Sequence, residues 1–403
     1  MVELPIDDQT FRRCQIVMEI SDEHHWDTST MVPLIGNYTP EFRGDFNLQW
    51  NHCLDYRDIQ GYEQCMTIPA ELPYYRQPNP DTQLPSQSPN RVIPQPEYTS
   101  LLPLLIAAHH YNINLNQYQV VSERNSLRKI SMSDEDYVVG VQKFGPTLFL
   151  RRYDHRFVNR NDYGYRFEQM CTSGHDLQAN YFQLIEGHVG DLRTLITGET
   201  DAVDEQDGQA IELKCLLNGI LREQDCNRYW LQAFLGGVTT IKIGHRTDEK
   251  IEDIRNVHVA NMIHYEEKKK MINRLYEILG FLSGLVQEQQ VYLFACHTDP
   301  QGRKHRWCLY RVAPQDKQRL TFITQDMYNQ LIAKTEGIVR RLPIRRRNRR
   351  KKKNHSDDND NISSSEEAIE EYYENTVMPT LTSNRRKTKS TQRYKDNRRA
   401  PMN

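Results

Sequence analysis

The stretch LRTLITGETDAVDEQDGQAIELKCL, residues 192–216, decides how the chain is read. Leu192 to Thr200 alternates as a strand does, Asp204, Asp207 and Gly208 supply turn chemistry, and Ala210 to Leu216 alternates again. The pattern predicts a β-hairpin. Residues two apart in a strand project from one face, so Glu199 falls beside Asp201, and Glu212 beside Lys214. With the two strands paired in register, three carboxylates and an ammonium converge. Glu168, expected on a helix just upstream, adds a fourth acid.

Carboxylates that close together cannot all stay ionised unaided, because each raises the pKa of the next. A divalent cation compensates them. Hard oxygen ligands suit Mg²⁺ or Mn²⁺, which keep several waters and accept phosphate oxygens. Such a cation acidifies a water and offsets charge building on a phosphoryl group. Lys214 beside it would orient that water or steady the negative charge. The chemistry expected is hydrolysis of a phosphodiester or a pyrophosphate.

Outward from this stretch the pattern is mixed α/β. Downstream, Asn227 to Gly236 is expected as a helix carrying Gln232, Val238 to Gly244 as a strand and Tyr265 to Gln287 as a long amphipathic helix. Val291 to Cys296 and Trp307 to Val312 make a hairpin closing at Pro300-Gln301-Gly302. Upstream, Tyr165 to Leu184 holds helix-compatible stretches, and Val138 to Val141 and Leu148 to Tyr153 are strands around Gly145-Pro146. Leu101 to Tyr111 is a short apolar helix. Eight prolines between residues 68 and 98 fix φ and remove donors, which predicts an extended surface loop. On helix 227–236, Trp230 and Phe234 are expected to pack in the core. The fold expected is one large α/β domain over residues 1–340, with an active-site core at 160–245.

The chain's net charge of −2 averages two unlike parts. Arg340 to Arg399 holds 18 Lys or Arg against 9 Asp or Glu, a surplus of +9 that leaves −11 for the rest. Blocks of like charge repel and cannot form a core, so residues 341–403 are expected to be a disordered tail. Its run Arg345 to Lys353 has the composition of a nuclear localisation signal. No apolar run approaches the roughly 20 residues of a membrane span, so no membrane partner is expected. Glu3, Asp7 and Asp8 do not resemble the basic flank of a secretory signal. The eight cysteines form no C-x-x-C, which disfavours a disulfide framework and points to cytosol or nucleus.

An acid followed by Glu-x-Lys resembles the PD-(D/E)xK nuclease fold. Gly164-Tyr-Arg-Phe-Glu168, Gly198-Glu-Thr-Asp201, Glu212-Leu-Lys214 and Trp230-Leu-Gln232 together resemble the motifs of the DXO family of RNA 5′-end decapping exoribonucleases. That resemblance spans roughly residues 15 to 315. It implies that Glu168, Asp201, Glu212 and the Leu213 carbonyl bind the metals, while Glu199, Lys214 and Gln232 contact RNA phosphates or a second metal. It further implies RNA 5′ ends as the partner, with either a 5′–3′ exoribonuclease or a nuclear transcription or small-RNA complex as the protein partner, and nuclear RNA quality control as the setting. The family removes incomplete, unmethylated or nicotinamide-type caps, or pyrophosphate from triphosphate ends, and some members then degrade the RNA.

The chain departs from the family at a Trp-Arg-Gly motif whose arginine meets RNA phosphate. The corresponding stretch is taken to be Val139-Gly-Val-Gln-Lys143-Phe-Gly145, with Lys143 as the nearest substitute. A lysine is a point charge where arginine is a bidentate fork, so weaker phosphate positioning is expected. The alternative is a role like that of Cutoff, an inactive insect germline paralogue that binds uncapped 5′ ends in nuclear small-RNA transcription. The retained acids argue for the enzyme, since carboxylates that repel one another are costly to bury without a metal.

Overall fold

A computed structural model describes residues 6–333 apart from 22–23, 25–37, 50–54, 86–99, 134, 154–162, 173–178 and 299–304. The charged tail and the turn at Pro300-Gln301-Gly302 lie outside the described residues. In chain order the elements are α1 (Asp8–Arg13), β1 (Gln15–Ser21), β2 (Glu41–Gln49), α2 (Ile59–Gln64), β3 (Met66–Thr67), β4 (Thr82–Gln83), α3 (Leu102–His110), β5 (Val120–Glu123) and α4 (Arg124–Met132). There follow β6 (Tyr137–Phe144), β7 (Thr147–Arg152), α5 (Tyr163–Cys171), β8 (Ala179–Val189), β9 (Leu192–Glu199), β10 (Ala202–Val203) and β11 (Ala210–Leu217). The last are α6 (Glu223–Leu235), β12 (Thr240–Thr247), β13 (Lys250–His258), α7 (Tyr265–Leu285), β14 (Val291–Thr298), β15 (His305–Arg311), α8 (Pro314–Leu320) and α9 (Gln325–Met327).

Among the described residues, ten strands form one sheet in the order β1-β15-β14-β6-β7-β5-β9-β8-β2-β3, and five form a second in the order β10-β11-β12-β13-β4. The middle of the large sheet is buried on both faces, which its alternation shows directly. Leu148, Leu150 and Ile196 join one apolar cluster with Leu127 of α4, Trp230 of α6 and Leu275 of α7. Phe149 and Leu195, between them in sequence, join the opposite cluster with α3. A strand covered on both sides needs apolar residues at every position, as Leu148-Phe-Leu150 supplies. Helix α7 buries Met271, Ile272, Leu275, Ile278, Leu279 and Leu282, a stripe at helical spacing that lies on the sheet. The architecture is mixed α/β in a single domain, as expected.

Two expectations differ from what is found. The predicted hairpin of residues 192–216 is not one hairpin. Strand β9 pairs with β8 and β5 in the large sheet, whereas β11 pairs with β10 and, in parallel, with β12 in the small one. The antiparallel turn is confined to Ala202–Val203 against Ala210–Ile211. The chain changes sheets between Glu199 and Ala202, so the two acid-bearing strands meet as neighbours across two sheets. The helix-compatible reading of 165–184 also ends early: α5 stops at Cys171, and Phe182 and Leu184 lie in β8, where pairing to β9 overrides local propensity.

The proline-rich segment is extended as expected where it is described, yet it is tied down. Val203 donates to the Pro73 carbonyl at 2.9 Å, Tyr75 to Val203 at 2.9 Å and Arg76 to Cys171 at 2.7 Å. The segment therefore straps the end of α5 to β10, and so fixes the helix of Glu168 relative to Asp201.

Candidate active site

Strand β11 brings Glu212 and Lys214 to one face, as their spacing requires. The Glu212 side chain is 1% exposed. Its Oε1 accepts from Lys214 Nζ at 2.6 Å and from Gln232 Nε2 on α6. Asp201, at the crossing between the sheets, accepts the Leu213 N–H on Oδ2 at 2.7 Å, with Lys214 Nζ at 3.4 Å. The same ammonium donates to the Leu213 carbonyl at 2.9 Å. Thus Asp201, Glu212 and the Leu213 carbonyl all gather round one cation. These are three of the four ligands the family resemblance assigns to metal.

The electrostatics follow from that burial. Desolvation, then the nearby Glu212 charge, pushes the Asp201 carboxyl up to about 7. Burial also works to raise Glu212, but Lys214 and Arg124 outweigh it and hold it below the usual range. For Lys214 burial opposes the charge, and Asp201 and Glu212 overcome it, so its ammonium is held more firmly than in water.

The acids line a cleft of about 410 Å³ that also takes in Glu168 from α5 and Glu199 from the end of β9. Among the described residues, five acids (Glu123, Glu168, Glu199, Asp201, Glu212) and five bases (Arg124, Arg128, Arg152, Lys214, Arg228) border it. Glu199 Oε1 accepts from Asn180 Nδ2. Among the described residues no three acidic, histidine or cysteine side chains already form a closed metal cage. The donors do fit a hard divalent ion: two carboxylates and a carbonyl already share a cation, and Glu212 Oε2 is buried without a hydrogen bond from any described residue.

The structure corrects the assignment of Lys143. Its Nζ donates at 2.8 Å to the Ser283 carbonyl in the last turn of α7, where a cation satisfies an orphan carbonyl, and it does not line the cleft. Of the arginines that border the cleft, Arg124 reaches both Glu199 and Glu212. Its side chain is 7% exposed, with Nη2 donating to the Glu199 carbonyl at 2.8 Å and Nη1 at 3.7 Å from Glu212 Oε2. It lies so close to β9 that a Cβ on Gly198 would stand 2.8 Å from its Nε, which is why the Gly-Glu-Thr-Asp segment begins with glycine. Glu123-Arg124-Asn125 has neither the tryptophan nor the glycine of the motif, and that hid the arginine from the sequence. A short β-rich run ending at the first residue of a helix was the available signal. Asn180 had none. Trp230 is 1% exposed and stacks on Phe234 at 4.8 Å in the core.

The model of the RAI1-like PD-(D/E)XK nuclease family matches residues 57–328, more than half of the chain. The chain belongs to this family. It is the family whose motifs the sequence resembles. Among solved structures, Rai1 of S. pombe is similar at 15% identity with a TM-score of 0.58, covering 73% of this chain and 99% of that one. Rai1 of Scheffersomyces stipitis, in complex with (3′-NADP)⁺ and calcium, is 16% identical with a TM-score of 0.54 over 74% of this chain and 93% of that one. Rai1 of Candida albicans, in complex with pU5 and Mn²⁺, is 16% identical with a TM-score of 0.51 over 74% and 95%. At such identities the likeness is one of fold. No curated protein matches the chain by sequence.

Proposed function

We propose that the protein is a divalent-metal-dependent hydrolase of RNA 5′ ends, removing incomplete or nicotinamide-type caps or pyrophosphate. One observation carries the reading: Asp201, Glu212 and the Leu213 carbonyl are drawn round a single cation, the Lys214 ammonium, in a cleft that also holds Glu168 and Glu199. Relatives of the same fold hold calcium with a dinucleotide, or manganese with pU5.

Glu168, Asp201, Glu212 and the Leu213 carbonyl would hold Mg²⁺ or Mn²⁺. Bound there, the cations supply charge neutralisation at the phosphoryl group and an activated water. Everything else falls to the chain. Lys214, released from the acids, donates to the phosphoryl oxygens as charge develops. Gln232 keeps Glu212 oriented through its amide. Arg124 presents its fork to a phosphate, from a position set by the Glu199 carbonyl. The basic run Arg345 to Lys353 is assigned to nuclear import, and removal of residues 340–403 should shift the protein to the cytoplasm.

The test is incubation with Mn²⁺ of 5′-labelled RNAs ending in GpppN, triphosphate or monophosphate. Release of a labelled 5′ product by the wild type, abolished in both Glu168→Ala and Asp201→Ala with melting temperature retained, is expected. Cleavage of none of the three RNAs overturns the reading.

A further inference from the structure

Strands β5, β7 and β9 are parallel neighbours, so their carboxyl ends reach one edge of the large sheet. There Arg152, Glu123 and Glu199 border the cleft, beyond the residues that gather round Lys214. Crevices at the carboxyl ends of parallel strands are where such sheets bind ligands. Immediately after β5, the nine-residue helix α4 begins at Arg124. The first N–H groups of a helix lack intrahelical acceptors and favour an anion. Glu123 holds the N-cap position, but its side chain makes no capping hydrogen bond. Its Oε2 instead stands 3.4 Å from Arg152 Nε, with the two side chains 12% and 8% exposed.

A second, independent observation lies on the next strand. Thr197 stands opposite Glu123 in the β5–β9 register and borders the same cleft. It is 8% exposed, and its hydroxyl has no hydrogen-bond partner among the described residues. A buried hydroxyl left unpaired destabilises a fold, so its presence in a cleft wall points to a ligand that completes it.

We propose that the N-terminus of α4, Arg152 and the Thr197 hydroxyl form a second phosphate subsite, in which Glu123 occupies Arg152 until an incoming phosphate displaces it. This rests on the 5′-end reading above and names how the cleft grips a second phosphate of the same substrate. Once Glu123 withdraws, the groups on offer are a guanidinium, a hydroxyl and main-chain N–H groups. All are donors, and they match the oxygens of a tetrahedral anion. Glu123 makes the subsite selective: a ligand that places no phosphate there gains nothing by displacing the carboxylate.

The experiment measures binding to the full-length protein in Ca²⁺, under conditions of no turnover, by fluorescence anisotropy or competition. The probes are a 5′-phosphorylated pentanucleotide, its 5′-hydroxyl counterpart and ATP. Thr197→Val keeps the side-chain shape. It should bind about 10- to 150-fold more weakly, as loss of one hydrogen bond to a charged group implies, while melting no lower than the wild type. A purely structural hydroxyl would not separate the two readouts. Arg152→Met should weaken binding and lower the salt slope of affinity by about 0.7, whereas Glu123→Gln should tighten binding about 3- to 10-fold. A Thr197 penalty seen with ATP assigns the subsite to terminal phosphates, and one seen only with the pentanucleotides assigns it to an internal phosphodiester. Wild-type affinity in both Thr197→Val and Arg152→Met overturns the subsite alone. Weaker binding by Glu123→Gln overturns the displaced-carboxylate role. A wild type that binds no probe overturns the 5′-end reading with it.

Discussion

Replacing Arg124 by lysine, alongside Lys143 by methionine, separates the two candidates for the motif's phosphate-binding arginine. Arg124, which borders the cleft, is anchored by its bond to the Glu199 carbonyl at 2.8 Å, with Nη1 3.7 Å from Glu212 Oε2. A lysine at 124 retains one charge but cannot hold that carbonyl and a phosphate oxygen together in the same geometry. Losing one hydrogen bond to a charged partner amounts to about 1.5–3 kcal/mol. At 1.36 kcal/mol per decade this is about 10- to 150-fold in kcat/KM. Lys143→Met, by contrast, removes a bond to the Ser283 carbonyl and leaves the cleft untouched. It should destabilise the fold by about 0.5–1.5 kcal/mol and change kcat/KM less than twofold. Single-turnover cleavage of a 5′-triphosphate RNA in Mn²⁺, with thermal melts of each variant, measures both. Unchanged kcat/KM in Arg124→Lys, or a tenfold loss in Lys143→Met, would refute the reasoning.

Gly198→Ala places a Cβ where the Arg124 side chain now lies, so it should lower activity on phosphorylated RNA about as much as Arg124→Lys does; an unaffected rate would show that the arginine has room to move. Asp201 has its folded pKa raised to about 7, so its contribution to stability is fully present below the unfolded value near 3.8 and is lost as pH rises through 7. Melts of the metal-free protein should show Asp201→Asn gaining over the wild type at pH 8 and not at pH 4, and a constant difference would contradict the shift. For the same reason Mn²⁺ binding below pH 7 should release a proton, measurable by calorimetry in buffers of different ionisation enthalpy. Mn²⁺ at 100 times its Kd should stabilise the wild type by about 2.7 kcal/mol, and Glu212→Gln far less.

How much of this was legible in the sequence depends on how local each signal was. The acids of Glu199, Asp201 and Glu212 lie within fourteen residues, and their spacing alone placed them together. Helix α7 was legible because its apolar stripe is strictly periodic. The two-sheet crossing was not, because alternation reports which face a residue takes and not which strand it pairs with. The pairing of β9 with β5 joins segments about 70 residues apart, and no local pattern records it. Arg124 was missed for the same reason, since its place in the cleft is fixed by β9 and Glu212 rather than by its neighbours Glu123 and Asn125.

That the acids form a metal site is tested most directly by anomalous diffraction from crystals grown with Mn²⁺. The account predicts a manganese peak bounded by Glu168, Asp201, Glu212 and the Leu213 carbonyl, with the Lys214 ammonium moved off Glu212. A saturated crystal with no peak among these ligands, and Lys214 still bonded to Glu212, would contradict it.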